Sequence, residues 1–171
     1  MRQSLLERLS NRLYQPIQPQ HLRVLSQLAM KEREDFFERN THLGPIYNDR
    51  FLAAALCQGA ALHYLSRGDG VKDFDIHFFY EQHPTKKRMA RGVYTIRAKV
   101  CEFGSRKVDF IRTVIPSRFV DLYRDDVVRV VRQFLMNPPT PNARYLAVKA
   151  VIGLVPDSVF GTTIWPCEHV S

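Results

Sequence analysis

Residues 70–80 read GVKDFDIHFFY, and no other stretch limits the fold as much. Phe74, Ile76 and Phe78 alternate with Asp73, Asp75 and His77. Alternation with a period of two predicts a strand with one apolar and one polar face. The two carboxylates fall one pleat apart on the same face. An ionised carboxylate beside a packed strand is costly unless solvent or a cation attends it. A solvated strand edge would satisfy the first condition, and a bound ion the second.

A second segment favours the ion. RKVDFIRTVI is a predicted strand closed by Pro116, and it sets Asp109 between Val108 and Phe110. Two adjacent strands would gather Asp73, Asp75 and Asp109, and hard divalent ions prefer such oxygen donors. Upstream, Gly59 divides an apolar segment from a helical one. A glycine there lets backbone approach a ligand, and the start of the following helix offers free N–H groups to a phosphate. Tight packing of that helix on the sheet is the competing explanation.

Charge points the same way. The chain carries a net +8, and residues 85–112 hold nine Lys or Arg against Glu102 and Asp109 alone. This basic stretch joins the two carboxylate strands, and such a distribution favours phosphate or nucleic acid over a merely solvated loop.

At 171 residues with 45% apolar content, the chain reads as one domain with a real core. Leucines 5, 6, 9 and 13 are spaced as a helix. A second helix is expected from residue 19 to a charged end near Asn40, with a loop at Gly44-Pro45. FLAAALC fits either a buried strand or a helix end, and ALHYLSRG a helix of about two turns. GVYTIRAKV is a further strand. Ser117 is a plausible N-cap for one amphipathic helix, RFVDLYRDDVVRVVRQFL. ARYLAVKAVIGL is read as a last helix, followed by an irregular tail.

The expected fold is α+β, a small mixed sheet flanked by helices. Its parts are N-terminal helices over 1–43, a core over 47–116, and C-terminal helices with a tail over 117–171. Three cysteines without a CxxC pair argue against a disulfide framework. The N-terminus lacks the apolar core of a signal peptide, and no run is long enough to span a bilayer. The expectation is a cytoplasmic protein with no membrane partner.

CQGAALHYLSRGDGVKDFDIHF, followed by VDF at 108–110, resembles the signature of the nucleotidyltransferase superfamily that includes DNA polymerase β. That signature is an apolar residue, Gly, then Gly or Ser, a helix-sized spacer, an Asp-apolar-Asp with apolar flanks, and a third acid on a later strand. The resemblance covers residues 53–112. The chain is also similar to uncharacterised bacterial proteins assigned to this superfamily. One departure is Ala60, where the family usually has Ser or Gly.

The resemblance implies a nucleotidyltransferase-like fold using Mg²⁺ or Mn²⁺. Asp73, Asp75 and Asp109 would be the metal ligands and catalytic acids. Gly59 and Ala60 would cradle the phosphates of a bound NTP. Lys72, Arg106, Lys107 and Lys149 would neutralise the remaining charge. An NMP would pass to an acceptor hydroxyl on RNA (including tRNA), a protein or a small molecule, with release of pyrophosphate. Superfamily members also occur in toxin–antitoxin pairs, so an antitoxin-like partner is a further expectation.

Two other readings stay open. Ala60 fits a degenerate member that binds nucleotide or nucleic acid without chemistry. A nuclease would also need clustered acids, but no D…ExK arrangement is present. His77 shares the acid face as a candidate ligand or a packed neighbour. His63 and the Cys167-Glu168-His169 run are weaker candidates, Trp165 reads as an anchor for the tail, and Tyr94 and Phe103 as packing or base-stacking rings.

Overall fold

Leu22, Leu25, Ala29 and Phe36 recur at helical spacing and line the buried side of α1, Pro19–Arg39. Pro19 suits the first turn, where its missing N–H has no intrahelical role. In this computed structural model, residues 11–86, 89, 92–138 and 144–166 are described. The expected helix through Leu5, Leu6 and Leu9 lies outside them, as do Cys167 and His169. Leu13, the last of that leucine series, instead forms an antiparallel bridge with Val71. Gly44-Pro45, expected as loop, opens a one-turn helix α2, Gly44–Tyr47.

The fold is α+β, as the sequence predicts. Six strands form one mixed sheet: β1 Phe51–Cys57, β2 Phe74–Glu81, β3 Val93–Lys99, β4 Ser105–Ile115, β5 Ala150–Val155 and β6 Thr163–Trp165. Their spatial order is β3-β4-β2-β1-β5-β6. Only β2 and β4 run parallel; the other pairs are antiparallel. Helix α3, Gln58–Ser66, follows β1 directly. Two helices, α4 Ser117–Leu122 and α5 Val127–Met136, follow β4.

Apolar residues on both faces make three layers. α1 and α3 cover one face, where Ala54, Leu56, Phe74, Ile76, Phe78, Val108, Phe110 and Ile152 form the first core. α4 and α5 cover part of the other, packing Phe119, Val130, Val131 and Phe134 on Ala53, Ala55, Phe79, Val151 and Ile164. Each large side chain so buried stabilises the fold by roughly 1.5–3 kcal/mol. β1 resolves the ambiguity of FLAAALC: it lies between β2 and β5 with both faces covered. Burial there overrides the helix preference of three alanines.

Three expectations need correcting. ARYLAVKAVIGL is not a helix: Tyr145–Val148 is a short 3-10 turn and Ala150–Val155 is the strand β5. Val151, Ile152 and Val155 are β-branched, and Gly153 sits where a Cβ would lie 2.1 Å from the Val159 carbonyl oxygen. The tail is not irregular throughout, because Thr163–Trp165 adds a sixth strand. Trp165 does anchor it, donating from Nε1 to the Ala147 carbonyl at 2.9 Å. The helix expected after Ser117 is broken in two. Ser117 caps nothing: its hydroxyl donates to the Gln82 carbonyl at 2.9 Å. Asp126 caps α5 instead, accepting from the Arg129 N–H at 3.0 Å.

Candidate active site

The β2–β4 register brings two of the predicted acids face to face. Asp75 is the direct partner of Asp109, and Phe74 of Val108. Cross-strand partners point to one side, so Asp75, Asp109 and His77 share the face opposite the first core. Asp73 sits immediately before β2, after the bend at Lys72. Burial pushes the carboxyl of Asp75 up to about 6, and the nearby charges of Asp73 and then Asp109 add to it. Lys107 and Lys149 oppose that rise.

Other buried carboxylates in this fold are neutralised, and the contrast is informative. Glu81, on the same face of the same strand, receives Arg124 at 3.0 and 3.2 Å and Arg50 at 3.8 Å. Glu32 receives Arg39 at 2.6 Å. Asp73 and Asp75 have no ion-pair partner within 4.0 Å among the described residues.

Asp109 is held on both oxygens. The Thr95 hydroxyl donates to Oδ1, and Lys107 Nζ lies 2.9 Å from Oδ2. Thr95 is the β3 partner of Asp109 in register. Each carboxylate oxygen carries two lone pairs, so this clamp orients Asp109 without exhausting its acceptor capacity.

The β1–α3 junction borders the acids, since Cys57 pairs with Asp75. Gln58 is in the left-handed region at φ 60° although it is not glycine. Such a backbone costs on the order of 1–3 kcal/mol and clusters at functional sites. Its side-chain Nε2 is buried without an acceptor among the described residues. The first turn of α3 has no acidic residue and no side-chain cap. Lys149, at the end of the 3-10 turn before β5, completes this corner. Its Nζ lies 3.9 Å from where a Cβ on Gly59 would stand. A cation against the positive end of a helix is unfavourable unless an anion joins them.

The remaining predicted residues are placed differently. Ala60 is 3% exposed and its side chain belongs to the first core, so only its backbone N–H is left to offer. Lys72 is exposed in the bend beside Asp73. Arg106 is not brought to the acids: it lies on the opposite face of β4 and donates to the carbonyls of Phe103 and Asn11 at 2.9 and 3.0 Å. Comparison of the chain with family models, curated proteins and solved structures found no match.

His77 and His63 are both held inside the fold. His77 is fully buried, 3.4 Å from the Tyr145 hydroxyl and stacked near Phe79. His63 accepts from the Gly70 N–H at 3.0 Å and reaches the Gln15 carbonyl at 2.9 Å. Phe103 packs in the core against His21 and Phe74, and Tyr94 lies under the Arg39 guanidinium at 4.5 Å.

Among the described residues, His21, Cys101 and Glu102 hold three donor atoms within 4.8 Å of one another; the three aspartates are set wider. That trio does not present a free imidazole. His21 Nδ1 accepts the Gln18 N–H at 2.8 Å, which leaves Nε2 to donate to Glu102 at 2.6 Å. Cys57 is also no nucleophile, since complete burial and the charge of Asp75 push its thiol well up.

Sequence reasoning missed Thr95, Gln58 and Cys57. Thr95 becomes visible only once the β3–β4 register is known.

Proposed function

We propose that this protein is a divalent-metal-dependent nucleotidyltransferase that moves an NMP from an NTP to an acceptor hydroxyl. The observation that carries the reading is the adjacency of two complementary half-sites. One is the acid cluster of Asp73, Asp75 and Asp109. The other is the anion corner of Gly59, Lys149 and the start of α3. A metal–triphosphate complex presents a cation to the first and phosphates to the second.

The donor set fits the ion. Asp75 is crowded by two further carboxylates without an arginine to neutralise it, and oxygen donors suit Mg²⁺ or Mn²⁺. When bound, such ions supply charge neutralisation at the phosphates and lower the pKa of an acceptor hydroxyl. Asp73 and Asp75 would hold the nucleotide-associated ion, and Asp75 with Asp109 the second. Thr95 and Lys107 orient the Asp109 carboxylate. Lys149 and the free N–H groups at Gly59 and Ala60 hold the β and γ phosphates and so favour pyrophosphate as leaving group. Asp109 would accept the acceptor's proton.

A second reading, nucleotide binding without chemistry, draws on Ala60. Its burial weakens that argument, because a serine in the same backbone position would also face the core. The test is incubation with each α-³²P-labelled NTP, Mg²⁺ or Mn²⁺, and total bacterial RNA and protein extract. Label should pass to an acceptor with wild type and not with Asp73→Asn/Asp75→Asn. Metal-dependent nucleotide binding without any transfer would favour the second reading.

A further inference from the structure

β4 carries a cation in an apolar row. Val108, Phe110 and Arg112 share one face of the strand, and Arg112 stands directly opposite Phe78, on the side away from Asp75 and Asp109. Its guanidinium lies over the Phe36 ring of α1, with Cζ 4.0 Å from the ring centre, and a Cβ on Gly92 would run into its Nη2. Burial pulls this guanidinium down from its ordinary value, against the pull of Tyr80 and Glu32. A cation so enclosed needs an acceptor and a counter-charge.

The neighbouring side chains supply too little of either. The guanidiniums of Arg33, Arg39 and Arg112 gather around one buried carboxylate, Glu32, and Arg39 already holds it at 2.6 Å. Arg33 donates through Nη2 to the carbonyl and the side-chain oxygen of Asn48 at 2.8 and 2.9 Å, both neutral. Tyr80 is neutral too, because burial pushes its hydroxyl up to about 12. Of the next acids on α1, Asp35 pairs with Lys31 at 2.8 Å and Glu34 is exposed.

Two observations coincide at this excess of positive charge. The Nε atoms of Arg33 and Arg112 are both buried without an acceptor among the described residues. Both side chains line one cavity of about 10 Å³, whose other walls are Glu32, Phe36, Phe78 and Tyr80. That is the room one water-sized particle needs. A water would accept from both N–H groups and leave the charge uncompensated. A small anion answers both needs, and a polyatomic one does not fit. The Glu32 carboxylate in the wall would repel an anion were it not paired with Arg39.

We propose that this cavity is a binding site for a single monovalent anion, chloride, which accepts from the Nε–H groups of Arg33 and Arg112. The ion ties α1 to β4 on the face of the sheet opposite Asp75 and Asp109. It is independent of the transfer reading.

The test is the ³⁵Cl NMR linewidth of chloride titrated into the full chain at constant sodium, with gluconate making up the balance. The broadening should saturate. Bromide should reverse it more readily than iodide, because the cavity selects by size, whereas exposed cations favour the weakly hydrated iodide. Arg112→Met keeps the apolar stem and removes one donor. It should weaken chloride binding about tenfold or more, as loss of a charge-assisted hydrogen bond does. Arg33→Gln removes the other donor from the helix side and should act alike, which keeps the test open if circular dichroism shows Arg112→Met unfolded. Broadening that never saturates would overturn the proposal and leave the cavity to water. Broadening that is unchanged in a folded variant, or that iodide reverses best, would also overturn it and place the chloride on exposed basic residues.

Discussion

Asp75 and Asp109 are direct partners across the parallel β2–β4 pair, the only parallel pair among the described residues. Neither strand alone sets these two carboxylates side by side. Their pairing places one carboxylate against another, and Asp73 adds a third from the residue just before β2.

The crowding predicts a pH dependence. The Asp75 carboxyl is raised from 3.8 to about 6 in the folded chain. Between those values the folded protein holds a proton that the unfolded chain has lost, so stability falls as pH rises from about 4 to about 6. The loss is on the order of 2 kcal/mol. Asp75→Asn should remove it and be more stable than wild type above pH 6 in metal-free buffer. Urea unfolding of both proteins at pH 4, 5, 6 and 7 measures the difference. Equal slopes with pH would contradict the account.

Gly59 separates folding from function. Among the described residues, a Cβ there meets only the Lys149 ammonium at 3.9 Å, an ordinary contact. Gly59→Ala should therefore fold and even gain about 0.5–1 kcal/mol from helix propensity. The added methyl would stand between the first turn of α3 and Lys149, where the phosphates are placed. Nucleotide affinity by calorimetry should fall about tenfold or more in Gly59→Ala, and similarly in Lys149→Ala.

Much of this site was legible before the fold was known. The alternation in residues 73–78 gave β2 its polar face, and the same period put Asp109 among apolar neighbours on β4. The parity of that strand also carried unused information: Lys107 shares the face of Asp109 and Arg106 cannot. β5 was not legible, because a short buried strand and a buried helix segment have the same apolar run. The approach of Lys149 to Gly59 depends on β5 lying beside β1, so its role was hidden with that strand. Gln58 gave no signal, since its left-handed backbone follows from the turn between β1 and α3.

Lys107 has two effects that should separate. Lys107→Met removes an exposed partner of Asp109, which is worth less than about 1 kcal/mol to the metal-free fold. It also removes a cation that a metal ion at Asp109 must share the carboxylate with. Mn²⁺ affinity, read by electron paramagnetic resonance of the free ion, should rise severalfold. A fall in Mn²⁺ affinity would mean that Lys107 supports the ion rather than competing with it.

Gly153 tests the corrected C-terminal architecture. In Gly153→Ala the new methyl would meet the Val159 carbonyl oxygen at 2.1 Å, which is backbone and yields only if the 156–162 turn moves. A destabilisation of roughly 1–3 kcal/mol is expected by urea unfolding. A neutral substitution would contradict the close packing of that turn on β5.

The central claim is transfer of a nucleotidyl group, and paired labelling tests it most directly. Parallel reactions with α-³²P and γ-³²P forms of the same NTP, with Mn²⁺ and extract, should leave α label on the acceptor and γ label in pyrophosphate. Both signals should vanish in Asp73→Asn/Asp75→Asn. Label from the γ position on the acceptor, or no label from either position despite bound nucleotide, would contradict the account.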